Sequence, residues 1–164
     1  MGPSCDVQVV SQLHRQVRGA VRHLAFQFHR TALVQGCCNS GKTTVLRTEL
    51  DKFQLPYFYT KPYLNGRNET REFTAILDAF ADDRIIVVDY EDAQYINPYV
   101  VQAMCSVMDQ GAYVILVCDQ VFDDRGNMLS AVSNHQHLQS VVNRCRVVVD
   151  HSAVIENWKK VLVP

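Results

Sequence analysis

Eight consecutive residues, Gly36-Cys37-Cys38-Asn39-Ser40-Gly41-Lys42-Thr43, carry the most specific chemistry in this 164-residue chain. Glycines at 36 and 41 let the backbone curl so that successive N–H groups point inward, which suits anionic oxygens. A helix beginning just behind the curl would add the positive end of its dipole. The set predicts a cradle for the phosphates of a nucleoside triphosphate, ATP or another. Gly36, Asn39, Ser40, Gly41 and Thr44 would line it, the Lys42 ammonium would reach the β- and γ-phosphates, and the Thr43 hydroxyl would ligate Mg²⁺. In the wrong context the same letters describe only a glycine turn with a solvated lysine. Here a short apolar run over 31–35 precedes the loop and a helical pattern over about 41–53 follows it, so the expected order is strand, loop, helix. Cys37 and Cys38 read as loop filler; the alternative is a redox role, because a helix N-terminus lowers a thiol's pKa.

A second element, Ile85-Ile86-Val87-Val88-Asp89, sets four apolar residues before a carboxylate. Open α/β sheets place ligands beyond the carboxyl ends of their strands, so Asp89 is the expected Mg²⁺ partner. Glu91 or Asp92, which follow Tyr90, would act as the base that orients an attacking water. The competing reading makes Tyr90, Glu91 and Asp92 an exposed acidic turn at a helix start, where negative charge is favourable. A third run, 114–118, leads into Asp119 and Gln120; Asp119 would sense the γ-phosphate, or simply end the strand in a turn. Arg144 and Arg146 flank the last apolar run and are candidates for stabilising phosphate charge, within the subunit or across an interface, or are surface residues.

These residues need a scaffold, and the apolar periodicity supplies one. Val10, Leu13, Val17, Val21, Leu24 and Phe28 recur at spacings of three and four, predicting a buried helical stripe over 6–29. Arg15, Arg18 and Arg22 take another face, which is a solvated surface or a contact for nucleic acid or a neighbouring subunit. Short β-rich runs at 57–60, 84–89, 112–118 and 145–149 alternate with helical patterns over 69–80, 98–110 and 128–143. Pro98 suits a first helical turn, where its missing N–H has no partner to lose. Such alternation implies an α/β fold: a three-layer sandwich with a mostly parallel, about five-stranded sheet. The expected organisation is a single domain over 1–164: a leading helix in 1–30, a core over 31–150, and in 151–164 a closing helix over 152–162 around Trp158.

Composition narrows the function classes. At 48% hydrophobic and 20% charged, the chain has the make-up of a globular protein. No apolar run reaches spanning length, so no membrane association is expected. A net charge of -1 excludes a strongly basic surface overall and confines any nucleic-acid contact to a local patch. None of the 6 cysteines forms the Cys-x-x-Cys pair usual in zinc sites. Their setting in apolar or glycine-rich runs fits a reducing compartment, and the first residues lack a signal peptide's basic and apolar regions, so the expected location is intracellular, cytoplasmic or nuclear.

Over roughly residues 6–150 the order of elements resembles the P-loop ATPases of the additional-strand type, most of all the AAA+ group. Four parts carry the resemblance: the helix leading into the loop, now a Walker A motif; the strand ending in Asp89 as Walker B; the sensor-like strand ending in Asp119-Gln120; and the helix running into Asn143-Arg144-Cys145. That last piece is similar to the Ser-Arg-Cys stretch of clamp-loader-type members, which implies Arg144 acting on a neighbour's nucleotide in a homo- or hetero-oligomer. The resemblance implies ATP, Mg²⁺ and a motor or regulatory role on nucleic acid or protein. The chain departs from the family in three places. Tyr90 stands where glutamate usually follows the Walker B aspartate, and Glu91 would point to the other side of an extended chain, which implies slow or absent hydrolysis. Asp119 stands where Asn, Ser or Thr is usual, and no helical lid is recognisable after residue 150. Two other families share the cradle. Asp92-Ala93-Gln94 with Cys118-Asp119-Gln120 is similar to two motifs of superfamily 1 helicases. Asp92-Ala93-Gln94-Tyr95 and Phe122-Asp123-Asp124-Arg125-Gly126 resemble thymidine-kinase-like nucleoside kinases. A scaffold that binds nucleotide without turnover is the non-enzymatic alternative.

Overall fold

The structure is a computed structural model that describes residues 5–37, 41–62, 69–91, 96–122, 128–130 and 136–151. Cys38, Asn39, Ser40, Asp92, residues 93–95 and 123–126, and the closing helix expected at 152–162 lie outside the described residues. In chain order the elements are α1 (Cys5–Ala25), β1 (Thr31–Cys37), α2 (Lys42–Lys52), β2 (Tyr57–Thr60), α3 (Glu69–Ala81), β3 (Ile85–Asp89), α4 (Pro98–Asp109), β4 (Val114–Phe122), β5 (Met128–Ser130), α5 (Gln136–Val142) and β6 (Val147–His151).

Among the described residues, five strands run parallel in the order β2-β3-β4-β1-β6, and β5 pairs antiparallel with the end of β4. β4 therefore lies between β1 and β3. Side-chain alternation along each strand divides the core between two faces. Ala32, Val34, Val87, Ile115 and Val117 pack with Leu13, Val17, Val21 and Leu24 of α1 and with Leu46 and Leu50 of α2. Leu33, Ile86, Val88 and Leu116 pack instead with Ile76 of α3, Val100, Met104 and Val107 of α4, and Leu138 and Val141 of α5. Both faces are covered, which is why the strands read as continuous apolar runs rather than alternating ones. As expected for Pro98, α4 begins there, capped by the Asn97 side chain, which accepts the Tyr99 N–H at 2.8 Å.

Three expectations are corrected. The first helix stops at Ala25, four residues short of the expected end; Gln27 turns the chain at φ 61°, and Phe28 is 71% exposed rather than part of the buried stripe. Within 128–143, Met128–Ser130 is a strand and the helix is confined to Gln136–Val142; methionine and leucine are good helix formers, but pairing of Phe122 with Met128 overrides that local preference. β4 also continues to Phe122, so Asp119 sits within a strand and not in a terminating turn.

The basic face of α1 is partly internal. Glu49 of α2 is completely buried and accepts Arg18 Nε at 3.1 Å and Arg18 Nη2 at 3.2 Å, with His14 Nδ1 at 3.3 Å. Burial alone would raise the Glu49 carboxyl, but its bonds from Arg18 and His14 hold it below the ordinary glutamate value. Arg18 thus clamps α1 to α2, whereas Arg15 and Arg22 are exposed.

The cysteines give this core a chemical readout. Burial pushes the Cys118 thiol up to about 12, and burial does the same at Cys145, whose Sγ donates to the Val141 carbonyl. Thiolate is the reactive form, so both are expected to resist iodoacetamide at pH 8 in the native protein and to react after unfolding in guanidinium. Peptide mass mapping checks this; native labelling of Cys118 at the rate of an exposed thiol would contradict the packing.

Candidate functional site

Strand order brings the carboxyl ends of β1, β4 and β3 side by side. Register sets Gly36 opposite Asp119 and Asp89 opposite Val117, so the root of the glycine loop and two carboxyl groups share one edge of the sheet. Gly41 precedes α2 with φ 83°, a left-handed conformation that glycine adopts without the steric cost a Cβ imposes. That turn makes Lys42 and Thr43 the first residues of α2 and swings both side chains over the strand ends.

Lys42 is completely buried, and its Nζ lies 2.7 Å from Asp119 Oδ1 and 3.6 Å from Glu91 Oε1. Thr43 Oγ1 is 2.9 Å from Asp89 Oδ2 and 3.1 Å from Glu91 Oε2, able to donate its single proton to either. The Glu91 backbone N–H donates to Asp89 Oδ1 at 2.8 Å. Three carboxyl side chains thus face one ammonium and one hydroxyl. A lysine in a first helical turn opposes the helix dipole, so its burial there depends on these acidic partners.

Glu91 stands closer to the site than expected. Its carboxylate lies on the same side as that of Asp89, as an alternation of two residues permits, and the bond to Asp89 Oδ1 holds the turn. Tyr90 points the other way, into the apolar cluster with Ile96 and Val100. Burial raises its phenol well above the usual range, and among the described residues its hydroxyl has no hydrogen-bond partner.

Tyr59 was missed in the sequence. Its hydroxyl donates to Asp89 Oδ2 at 2.5 Å, and the Arg47 guanidinium lies 4.6 Å from its ring centroid. Burial, and then the bond to Asp89, raise the phenol far above its ordinary value, so Tyr59 stays a donor at any working pH. The readable signal was the alternation in Tyr57-Phe58-Tyr59-Thr60, but the pairing of β2 with β3, which brings Tyr59 to Asp89, is not written in either strand.

The other expected site residues are dispersed. Thr44 is exposed on α2. Arg144 lies at the opposite edge of the sheet, where Thr31 Oγ1 donates to its carbonyl at 2.8 Å and its own Nε and Nη2 donate to Asp109 at 2.9 and 3.2 Å. Arg146 is exposed beside it, before β6.

The donor set fits a small hard cation: the Thr43 hydroxyl and the Asp89 carboxyl group lie 2.9 Å apart, with the Glu91 carboxyl group 3.1 Å from the same hydroxyl. The fold that carries them is a three-layer α/β sandwich of the P-loop NTPase kind. No protein-family model matches the chain, and no curated protein matches it in sequence. Among solved structures, C. elegans PCH-2 is similar over 89% of this chain and 40% of its own, with 15% identity and a TM-score of 0.41. This chain therefore spans well under half of that protein.

Proposed function

We propose that the chain binds a nucleoside triphosphate, ATP foremost, at the loop 36–43 and hydrolyses it with Mg²⁺. One observation carries the reading: a fully buried Lys42 ammonium at the first turn of a helix, held by Asp119 at 2.7 Å directly behind a glycine loop. Burying an ammonium among carboxyl groups is costly for stability. A polyphosphate replaces that partnership by one in which cation, loop amides and helix dipole all favour the same anion.

Each side chain then has a distinct task. Lys42 exchanges Asp119 for a γ-phosphate oxygen, and Asp119 holds the ammonium in line when no phosphate is present. The Thr43 hydroxyl and the Asp89 carboxylate would hold Mg²⁺, which would supply positive charge against the phosphates. Tyr59 fixes the rotamer of Asp89. Glu91 is the group placed to accept a proton from the attacking water, so hydrolysis does not require a glutamate at position 90. Arg144, on the far edge of the sheet and bonded to Asp109, does not reach this subunit's own loop and takes no part in hydrolysis there.

Calorimetric titration of ATP with and without Mg²⁺, paired with phosphate-release kinetics, tests the reading. Saturable binding strengthened by Mg²⁺, with release of inorganic phosphate, is expected. Absence of binding overturns the proposal. Transfer of phosphate to thymidine or another nucleoside in the same mixture replaces hydrolysis by kinase chemistry.

A further inference from the structure

On the edge of the sheet opposite the glycine loop, a groove of ≈ 410 Å³ opens between the α1–β1 connection, the end of α4 and the start of β6. Arg30, Arg144 and Arg146 line it against a single acidic side chain, Asp109. Two of the arginines are held ready. Asp109 and the Ser140 carbonyl fix Arg144, and the Gly111 carbonyl, at 3.4 Å, and the Tyr113 ring, 5.7 Å from its centroid, steady Arg30. The third, Arg146, is exposed, and among the described residues its guanidinium has no hydrogen-bond or ion-pair partner. In a chain of net charge -1 this is a local concentration of positive charge.

Beside it stand two aromatic rings that the core does not use. Phe26 is 62% exposed and Phe28 71% exposed, with centroids 6.5 Å apart, and Phe28 also lines the groove. Gln27 between them holds a left-handed backbone, φ 61°, and ends α1, with the Phe28 N–H donating back to the His23 carbonyl at 2.9 Å. Phe28 meets His23 edge-on, 6.1 Å between centroids, yet most of both phenyl rings faces solvent. Rings for stacking next to arginines for phosphates are the two components of a single-strand platform.

We infer that this groove binds single-stranded nucleic acid, with backbone phosphates on Arg30, Arg144 and Arg146 and unpaired bases stacked on Phe26 and Phe28. A duplex hides its base faces from such rings, and a purely acidic peptide has nothing to place on them; the combination of features favours an unpaired strand. The surface is separate from the α1 face of Arg15, Arg18 and Arg22, where Arg18 is already engaged by Glu49. It is also separate from the loop 36–43, because β1 runs its whole length of ~20 Å between the two.

The test is fluorescence anisotropy of the full chain with labelled oligothymidylate and oligouridylate of about a dozen nucleotides, a length that spans a typical single-strand site. Binding is expected with at least one of them and should persist in saturating Mg-ATP. Phe28→Ala should weaken it on the order of tenfold, with Phe28→Tyr restoring it, since stacking contributes that much per base. Arg146→Ala should lower the slope of log affinity against log salt by about 0.7, the loss of one single-strand phosphate contact. Both residues are exposed, and circular dichroism verifies that each variant is folded. The inference is overturned by absence of binding, by binding indifferent to both substitutions, or by equal competition from duplex or from polyglutamate, which would mark a general anion surface or a protein partner instead.

Discussion

Replacing Lys42 with alanine is expected to weaken ATP binding by roughly 10- to 100-fold, the range that follows from losing a charge-assisted hydrogen bond worth ~1.5–3 kcal/mol. The ammonium pairs with Asp119 at 2.7 Å and with Glu91 at 3.6 Å, so its loss acts twice. It removes the γ-phosphate's partner, and it leaves carboxyl groups that repel the incoming anion. Those same carboxyl groups also lose their buried counter-charge, which lowers the stability of the unliganded variant. Lys42→Met, which keeps the apolar stem, therefore serves as a companion. Calorimetry on protein verified as folded provides the measurement, and wild-type affinity in both variants would refute the role given to Lys42.

Glu91→Gln should separate binding from turnover. The amide can still meet the Thr43 hydroxyl, which lies 3.1 Å from Glu91 Oε2, but it cannot take a proton. Loss of a positioned general base typically costs ~10²–10⁴-fold in rate, so kcat for phosphate release is expected to fall by at least about 100-fold while KM changes little. A variant with undiminished kcat would remove Glu91 from the chemistry. A parallel rise in KM would instead make it a phosphate or metal ligand. The split matters because the residue after Asp89 is Tyr90, buried on the other face of the sheet.

The sequence made the layers legible because parallel strands covered on both faces must be apolar throughout, and Ile85–Val88 and Val114–Val117 are. Lys42, Thr43 and Asp89 were likewise readable, each being fixed by a local pattern of loop, helix start or strand end. Tyr59 was not, since its place beside Asp89 depends on which strands pair, a long-range choice that no local window contains. Glu91 lies on the opposite side from Tyr90, as the sequence implies, but that is the side of Asp89, and the Glu91 N–H bond to Asp89 Oδ1 keeps its carboxylate at the Thr43 hydroxyl. Phe28 continued the spacing of α1 in the sequence, yet the helix ends at Ala25, showing that periodicity alone does not mark a terminus. Arg144 kept a motif's surroundings but lies a full strand length from the glycine loop, bound to Asp109.

The most direct test is a crystal structure of the chain with Mg²⁺ and a non-hydrolysable ATP analogue. The account predicts the β- and γ-phosphates inside the loop 36–43, with a γ-phosphate oxygen ~2.7–2.9 Å from Lys42 Nζ, the range of a charge-assisted bond, and Asp119 displaced from that ammonium. A triphosphate bound elsewhere, or a Lys42–Asp119 pair left intact beside an empty loop at saturating analogue, would contradict it.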